Sequence, residues 1–185
     1  MTGEGLPLRR DNFRKLHRHH NLWRWLFSTV LAALFMAFVC FVWFDWVKMG
    51  NESMAPTLCR GDVVLVDRLY KYFRHIERTD MVAYRRPGTG ELLIKRVVAT
   101  GGESVSGRNG ALWIDEKYRL NEDDYQPVNT VDFDPVTVPE GCVFVLSDDR
   151  QYQEDSREAD IGCVPLDDIL GVMHIRVLPS LVFYE

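Results

Sequence analysis

Apolar residues are distributed along this 185-residue chain in two different rhythms. Residues 26–44 form one unbroken run of nineteen positions without a charge. At about 1.5 Å per residue, a helix of that length crosses nearly 30 Å, the hydrocarbon thickness of a bilayer. Beyond it the apolar residues come in strand-length groups, at 63–66, 81–84, 92–98, 111–114, 142–146 and 169–178, bounded by turn-forming residues. Such groups predict short β-strands. Asn109-Gly110, just ahead of 111–114, has the sequence of a two-residue hairpin turn. Residues 68–78 read as a short helix or a charged loop, and 117–135 as an acidic, irregular surface excursion. With almost no helical periodicity after the first run and no repeat, the pattern predicts a mainly β protein: a single N-terminal transmembrane helix followed by an all-β domain of sandwich or barrel type.

Charge gives the span a direction. Residues 1–44 carry six Lys/Arg, at Arg9, Arg10, Arg14, Lys15, Arg18 and Arg24, against Glu4 and Asp11, while the rest of the chain has 16 basic and 25 acidic residues. Trp23 and Trp25 mark one end of the run, Trp43 and Trp46 the other. Basic flank and aromatic belts predict a cytoplasmic segment 1–25, a span 26–44 and an extracytoplasmic domain 45–185 with a small insertion at about 108–138. The run is longer than the apolar core of a cleavable signal peptide, ends in bulky aromatics, and is followed by no small-x-small cleavage site, so a retained anchor is expected. About 140 residues remain after it, enough for one soluble domain. The acidic balance of that domain argues against nucleic acid as a partner.

The histidines and cysteines point to no metal or disulfide framework. His17, His19 and His20 have no carboxylate or thiol spaced to join them, and the run Asp148, Asp149, Asp155 lacks the alternation and central glycine of a calcium loop. Outside the span only Cys59, Cys142 and Cys163 remain, which allows at most one intramolecular bridge, with Cys142 and Cys163 the candidate pair.

The candidate chemistry starts at Ser53, in Asn51-Glu52-Ser53-Met54-Ala55-Pro56-Thr57-Leu58, which begins seven residues after the apolar run. A serine so close to a span acts on something at the bilayer surface. Its hydroxyl needs a base within hydrogen-bond reach. His75 sits among charged surface residues and His174 alternates along a strand, so a Ser-His-Asp triad is disfavoured. Lys95 lies inside 92–98, where period-2 alternation puts Leu93, Lys95 and Val97 on one face. On a buried face a lysine is either ion-paired or, neutralised by desolvation, a base. Spacing leaves both readings open, the first with Lys95 paired at a sheet edge and Arg96 facing solvent.

Three motifs in order carry a resemblance. Ser53-Met54-Ala55-Pro56-Thr57-Leu58 after an N-terminal span, Lys95-Arg96-Val97 followed by Gly101-Gly102-Glu103, and Ser147-Asp148-Asp149-Arg150 with Asp155-Ser156-Arg157 and Gly162-Cys163-Val164-Pro165 resemble the boxes of bacterial type I signal peptidases of the short, single-span form. The likeness covers roughly residues 22–180. It implies a β domain of coiled antiparallel sheets, Ser53 as nucleophile, Lys95 as general base, and Asp155 with Arg157 as a structural acid and base beside them. A bidentate pair of that kind would hold the loop next to the lysine without doing chemistry. The resemblance also places Met54 beside the site and against the membrane, where Met54 alone reads as core, and lets Pro56 fix the backbone after the nucleophile. It implies no metal and no cofactor. The implied partners are preproteins with small residues one and three positions before the cut, and the lipid bilayer.

The chain departs from the family at four positions. Ser147 stands for a glycine and Asp149 for an asparagine; Gln153 replaces a serine that hydrogen-bonds the lysine, and Asn51 a serine or glycine. Asn51 has two readings: a side-chain donor joining the Ser53 N–H in an oxyanion hole, or a glycine substitute tolerating left-handed backbone. Two other functions stay open. A self-cleaving repressor-type protease uses a related Ser/Lys pair but has a DNA-binding segment where this chain has a span. A catalytically degenerate homologue acting as a membrane-anchored binding or assembly module would explain the departures, though not the retention of Ser53 and Lys95.

Overall fold

The computed structural model describes residues 10–116, 118–119 and 130–184. Residues 117 and 120–129 of the predicted excursion lie outside the described residues. The chain divides into two compact units, Met1–Val42 and Trp43–Glu185.

The first unit is the helix α1 (Arg10–Trp43), within which Leu22–Trp43 is long and apolar enough to cross a membrane. Phe27, Phe35 and Phe41 are exposed along it. Apolar side chains all round a helix with no protein core are stabilised where lipid takes the core's place. The helix ends one residue before the predicted limit, because Asp45 and Lys48 interrupt the apolar run and Phe44 already opens strand β1 (Phe44–Lys48). Trp46, expected at the membrane boundary, is in that strand and exposed. The side chains of His17, His19 and His20 lie outside the described residues.

The second unit is built of short antiparallel strands: β2 (Val63–Asp67), β3 (Met81–Arg85), β4 (Leu92–Thr100), β5 (Ser104–Arg108), β6 (Ala111–Ile114), β7 (Tyr118–Arg119), β8 (Phe133–Thr137), β9 (Cys142–Leu146), β10 (Val164–Pro165), β11 (Ile169–Leu178) and β12 (Val182–Phe183). Among the described residues they form two sheets. One runs β1-β2-β11-β3-β4-β9-β10 with β12 on β11, and the other β7-β6-β5-β8. The second is entered through β5, which starts at Ser104, ahead of the expected limit near 108, and its β5–β6 hairpin turns at Asn109 and Gly110, whose φ values of 53° and 74° match the two-residue turn the sequence foretold. Only Tyr70–Phe73 of the ambiguous segment 68–78 is helical, as α2.

Alternation along β4 sorts its side chains between core clusters. Leu93 and Val97 pack with Val82, Tyr84, Val143 and Val145, whereas Ile94 joins Met54, Leu58, Val64, Met81 and Ala83. Past the bulge between Val97 and Ala99, Val98 and Ala99 turn toward Val105, Leu112, Ile114 and Phe144, which seals the second sheet against the first. Lys95 therefore stands in line with Leu93 and Val97, opposite Val82 of β3, and is completely buried. Cys142 and Cys163 carry free thiols, both half-buried. Burial, and then the nearby Cys142, push the Cys163 thiol up.

Candidate active site

Ser53 lies in a tight turn between β1 and β2. Ala55 N–H donates to Glu52 O at 2.9 Å and Leu58 N–H to Met54 O at 2.8 Å, while Met49 N–H to Asp62 O at 2.8 Å closes the base of the loop. Met54 and Leu58 are fully buried and anchor the turn in the cluster that contains Ile94, the neighbour of Lys95. The outer part is tied to the far end of the chain, where the Tyr184 hydroxyl donates to Thr57 O at 3.0 Å. Ser53 is thus held by its flanking residues, and its own side chain is 1% exposed. Met54 is core and not a membrane-facing residue, because the turn needs its side chain as an anchor. Pro56 is exposed at the outer edge of the turn.

The Lys95 Nζ donates to Ser147 Oγ at 2.9 Å and lies 5.7 Å from the centre of the Tyr152 ring. Among the described residues it makes no hydrogen bond to Ser53. Burial pushes the ammonium down to about 8; Asp155 and Glu154 oppose that shift, Arg157 adds to it, and Asp148 opposes it more weakly. Desolvation wins because none of the three carboxylates accepts a hydrogen bond from Nζ, so each acts only at a distance.

Residues 147–157 form the loop that meets both residues. Asp149 N–H donates to Ser53 O at 3.0 Å, two residues from the hydroxyl that holds Lys95. Within the loop, Arg157 grips the buried Asp155 through Nε–Oδ1 at 2.8 Å and Nη2–Oδ2 at 2.7 Å. Its guanidinium also donates to the carbonyls of Arg150, at 2.8 Å, and Tyr152, and Asp155 Oδ2 accepts the Ser147 N–H at 2.9 Å. A second fork ties the loop to the sheet. Arg96 Nε and Nη2 donate to the two oxygens of Asp148 at 3.1 and 2.9 Å, and Nη1 donates to Thr79 O at 2.7 Å.

Several expectations change here. Arg96 does not face solvent; it is 6% exposed. The sequence signal was a guanidinium in the middle of an apolar strand, which has to find a buried partner. Gln153 is exposed and does not contact Lys95, since the loop turns its side chain outward; the hydroxyl on Lys95 comes from Ser147. Asn51 does not fit the glycine-substitute reading. Its backbone is not left-handed, and its Oδ1 accepts the Ser53 N–H at 3.3 Å, an Asx turn that occupies the N–H assigned to the oxyanion. His75 is exposed, and His174 packs at a tilt against Tyr70 with ring centres 4.8 Å apart; neither bonds Ser53 among the described residues.

Comparison with known proteins covers most of the chain. Residues 22–178 match the family described as signal peptidase, peptidase S26. Thylakoidal processing peptidase 1 of Arabidopsis thaliana is 31% identical over 71% of this chain, which spans only 41% of that protein. An inactive signal peptidase IA of Staphylococcus aureus (strain Mu50) is 31% identical over 84% of this chain and 91% of its own length. Among solved structures, a signal peptidase I from Enterococcus faecalis V583 is 31% identical, with a TM-score of 0.46 over 54% of this chain and 97% of that one.

Proposed function

The chain belongs to the signal peptidase family S26, and from that premise we propose that it is a membrane-anchored serine endopeptidase that removes signal peptides from exported preproteins through a Ser53/Lys95 dyad. In this reading α1 anchors it with the N-terminus in the cytoplasm and the β domain on the outer face of the membrane. The observation that carries the proposal is Lys95, completely buried and pushed down to about 8. At pH 7 roughly a tenth of such lysines are neutral, against roughly one in three thousand at an ordinary value near 10.5. A neutral amine is what a serine needs beside it.

The steps follow from the groups present. Neutral Lys95 takes the proton of Ser53 Oγ as the oxygen bonds to the carbonyl carbon of the small residue that precedes the cut. Collapse of the tetrahedral adduct breaks the C–N bond, and the Lys95 ammonium returns the proton to the departing amine. Lys95, neutral again, then deprotonates a water that adds to the ester carbon, and the C–Oγ bond breaks as the ammonium returns that proton to Ser53 Oγ. The Ser53 N–H can donate to the oxyanion once the carbonyl oxygen displaces the 3.3 Å contact from Asn51.

A second reading is a degenerate homologue that binds preproteins without cutting them. The relative named as an inactive signal peptidase favours it; the presence of both Ser53 and Lys95 in this chain opposes it. The two separate when purified full-length protein in detergent micelles is incubated with a preprotein and the products are mapped by mass spectrometry. Peptidase activity predicts one new N-terminus following a small-x-small sequence. Binding of the preprotein without any cut would overturn it.

A further inference from the structure

A lysine can act as a base only if its lone pair points at the proton it removes, and the Lys95 side chain has four rotatable bonds with which to point elsewhere. A neutral amine keeps two N–H donors and one lone pair. Fixing the nitrogen in place and engaging one of its donors narrows the directions left to the lone pair. Two groups do this at Nζ: the Ser147 hydroxyl oxygen accepts a hydrogen bond at 2.9 Å, and the Tyr152 ring faces it with its centre 5.7 Å away. Ring faces attract ammonium groups within about 6 Å.

Both residues are held through their backbones by the same ion pair. Ser147 N–H donates to Asp155 Oδ2, and Tyr152 O accepts from the Arg157 guanidinium. Tyr152 N–H is also fixed, by Asp149 O at 2.9 Å, and Asp149 N–H holds Ser53. One loop therefore carries the serine carbonyl, the hydroxyl and the ring in a single bonded unit.

We propose that Ser147 and Tyr152 together are positioning residues for Lys95, the hydroxyl taking one N–H and the ring face holding the ammonium form in place, so that the lone pair freed on deprotonation is left for Ser53. This inference rests on the peptidase reading and adds two residues to it. Ser147 does the orienting that the sequence assigned to position 153, and Tyr152 supplies a contact the motifs do not contain. The charged groups facing Lys95 are Asp155, Glu154, Asp148 and Arg157, all on this loop, while β3 presents the apolar Val82. Substitutions at 147 and 152 leave these charges in place, so a change in the titration of Lys95 reports the lost contact itself.

The test uses the full chain in detergent micelles, with the pH dependence of kcat/KM on a preprotein and the titration of Lys95 followed by NMR of its labelled side chain. A hydroxyl acceptor and a ring face both favour the ammonium over the amine, so losing either lowers the Lys95 midpoint. Ser147→Ala is expected to move the midpoint down by roughly half a unit or more and to lower kcat about 10- to 100-fold with KM nearly unchanged. Ser147→Thr, which keeps the hydroxyl, is expected to restore both. Tyr152→Leu should lower the midpoint as well, and Tyr152→Phe, which keeps the ring, should hold it at the parent value. Thermal unfolding of each variant shows that it is folded. A folded Ser147→Ala variant with the parent's midpoint and kcat would overturn the proposal, and so would a Ser147→Thr variant as impaired as Ser147→Ala. If the parent itself cuts nothing, the peptidase reading fails while the NMR titration still decides whether Ser147 and Tyr152 hold Lys95.

Discussion

The backbone N–H of Asp149 donates to the carbonyl oxygen of Ser53 across 3.0 Å. The serine turn and the loop that positions Lys95 are therefore joined main chain to main chain, and the join does not depend on the side chain at 149. The Asp149 carboxylate instead accepts the N–H of Gln151 at 3.0 Å, which shapes its own loop.

Asp149→Asn keeps an oxygen for Gln151 and the N–H for Ser53, so cleavage should stay within about threefold of the parent. Asp149→Pro removes the N–H and should cost on the order of 10²-fold or more in kcat/KM, since a displacement near 1 Å at a reacting group is enough for that. Steady-state kinetics on a preprotein distinguish the two. A proline variant with parental kinetics would show that the join is dispensable.

Arg157 and Asp155 form a bidentate pair with side chains 7% and 0% exposed. Removing one partner of a buried pair strands the other charge. Arg157→Ala should therefore destabilise the domain by roughly 3–5 kcal/mol. Arg157→Lys cannot reproduce the fork that also reaches the Arg150 and Tyr152 carbonyls, and should recover only part of the loss. Thermal or chemical unfolding measures both. A change within about 0.5 kcal/mol for Arg157→Ala would mean that the pair behaves as a surface ion pair.

Asn51 caps the serine turn with its oxygen. Because that contact is long, at 3.3 Å, Asn51→Ala and Asn51→Gly should each lower kcat less than about tenfold. A loss near 10²-fold with KM unchanged would make the amide an oxyanion donor after all.

Elements with a strong local signal were legible in the sequence. The apolar span, the strand groups around 81–84, 92–98 and 142–146, and the hairpin at Asn109-Gly110 all carry their period or turn chemistry in consecutive residues. Alternation was also enough to put Lys95 in line with Leu93 and Val97, though not to say whether that lysine is buried or paired at a sheet edge. What the chain did not disclose is where side chains meet across the sheet. Arg96 and Asp148 are 52 residues apart and become partners only because β4 pairs with β9. The motif places the hydrogen-bond partner of Lys95 at 153, where this chain has a glutamine, and the partner is found at 147, by the path of the loop. Tyr152 had no signal, since a lone aromatic in a polar loop reads as an ordinary surface residue. The orientation of Asn51 depended on a backbone angle that no residue type fixes.

The central claim is that Lys95, neutral, is the base for Ser53, and the pH dependence of kcat/KM tests it most directly. Only the amine is active, so the rate should rise with pH through a single limb with its midpoint near 8, where burial sets Lys95, and level off above it. Ser53→Ala and Lys95→Met should each abolish cleavage at every pH, the double variant should be no worse than either, and His75→Ala and His174→Ala should keep the parental limb. A flat profile from about pH 6 to 10 with chemistry rate-limiting, or turnover by Lys95→Met, would contradict the account.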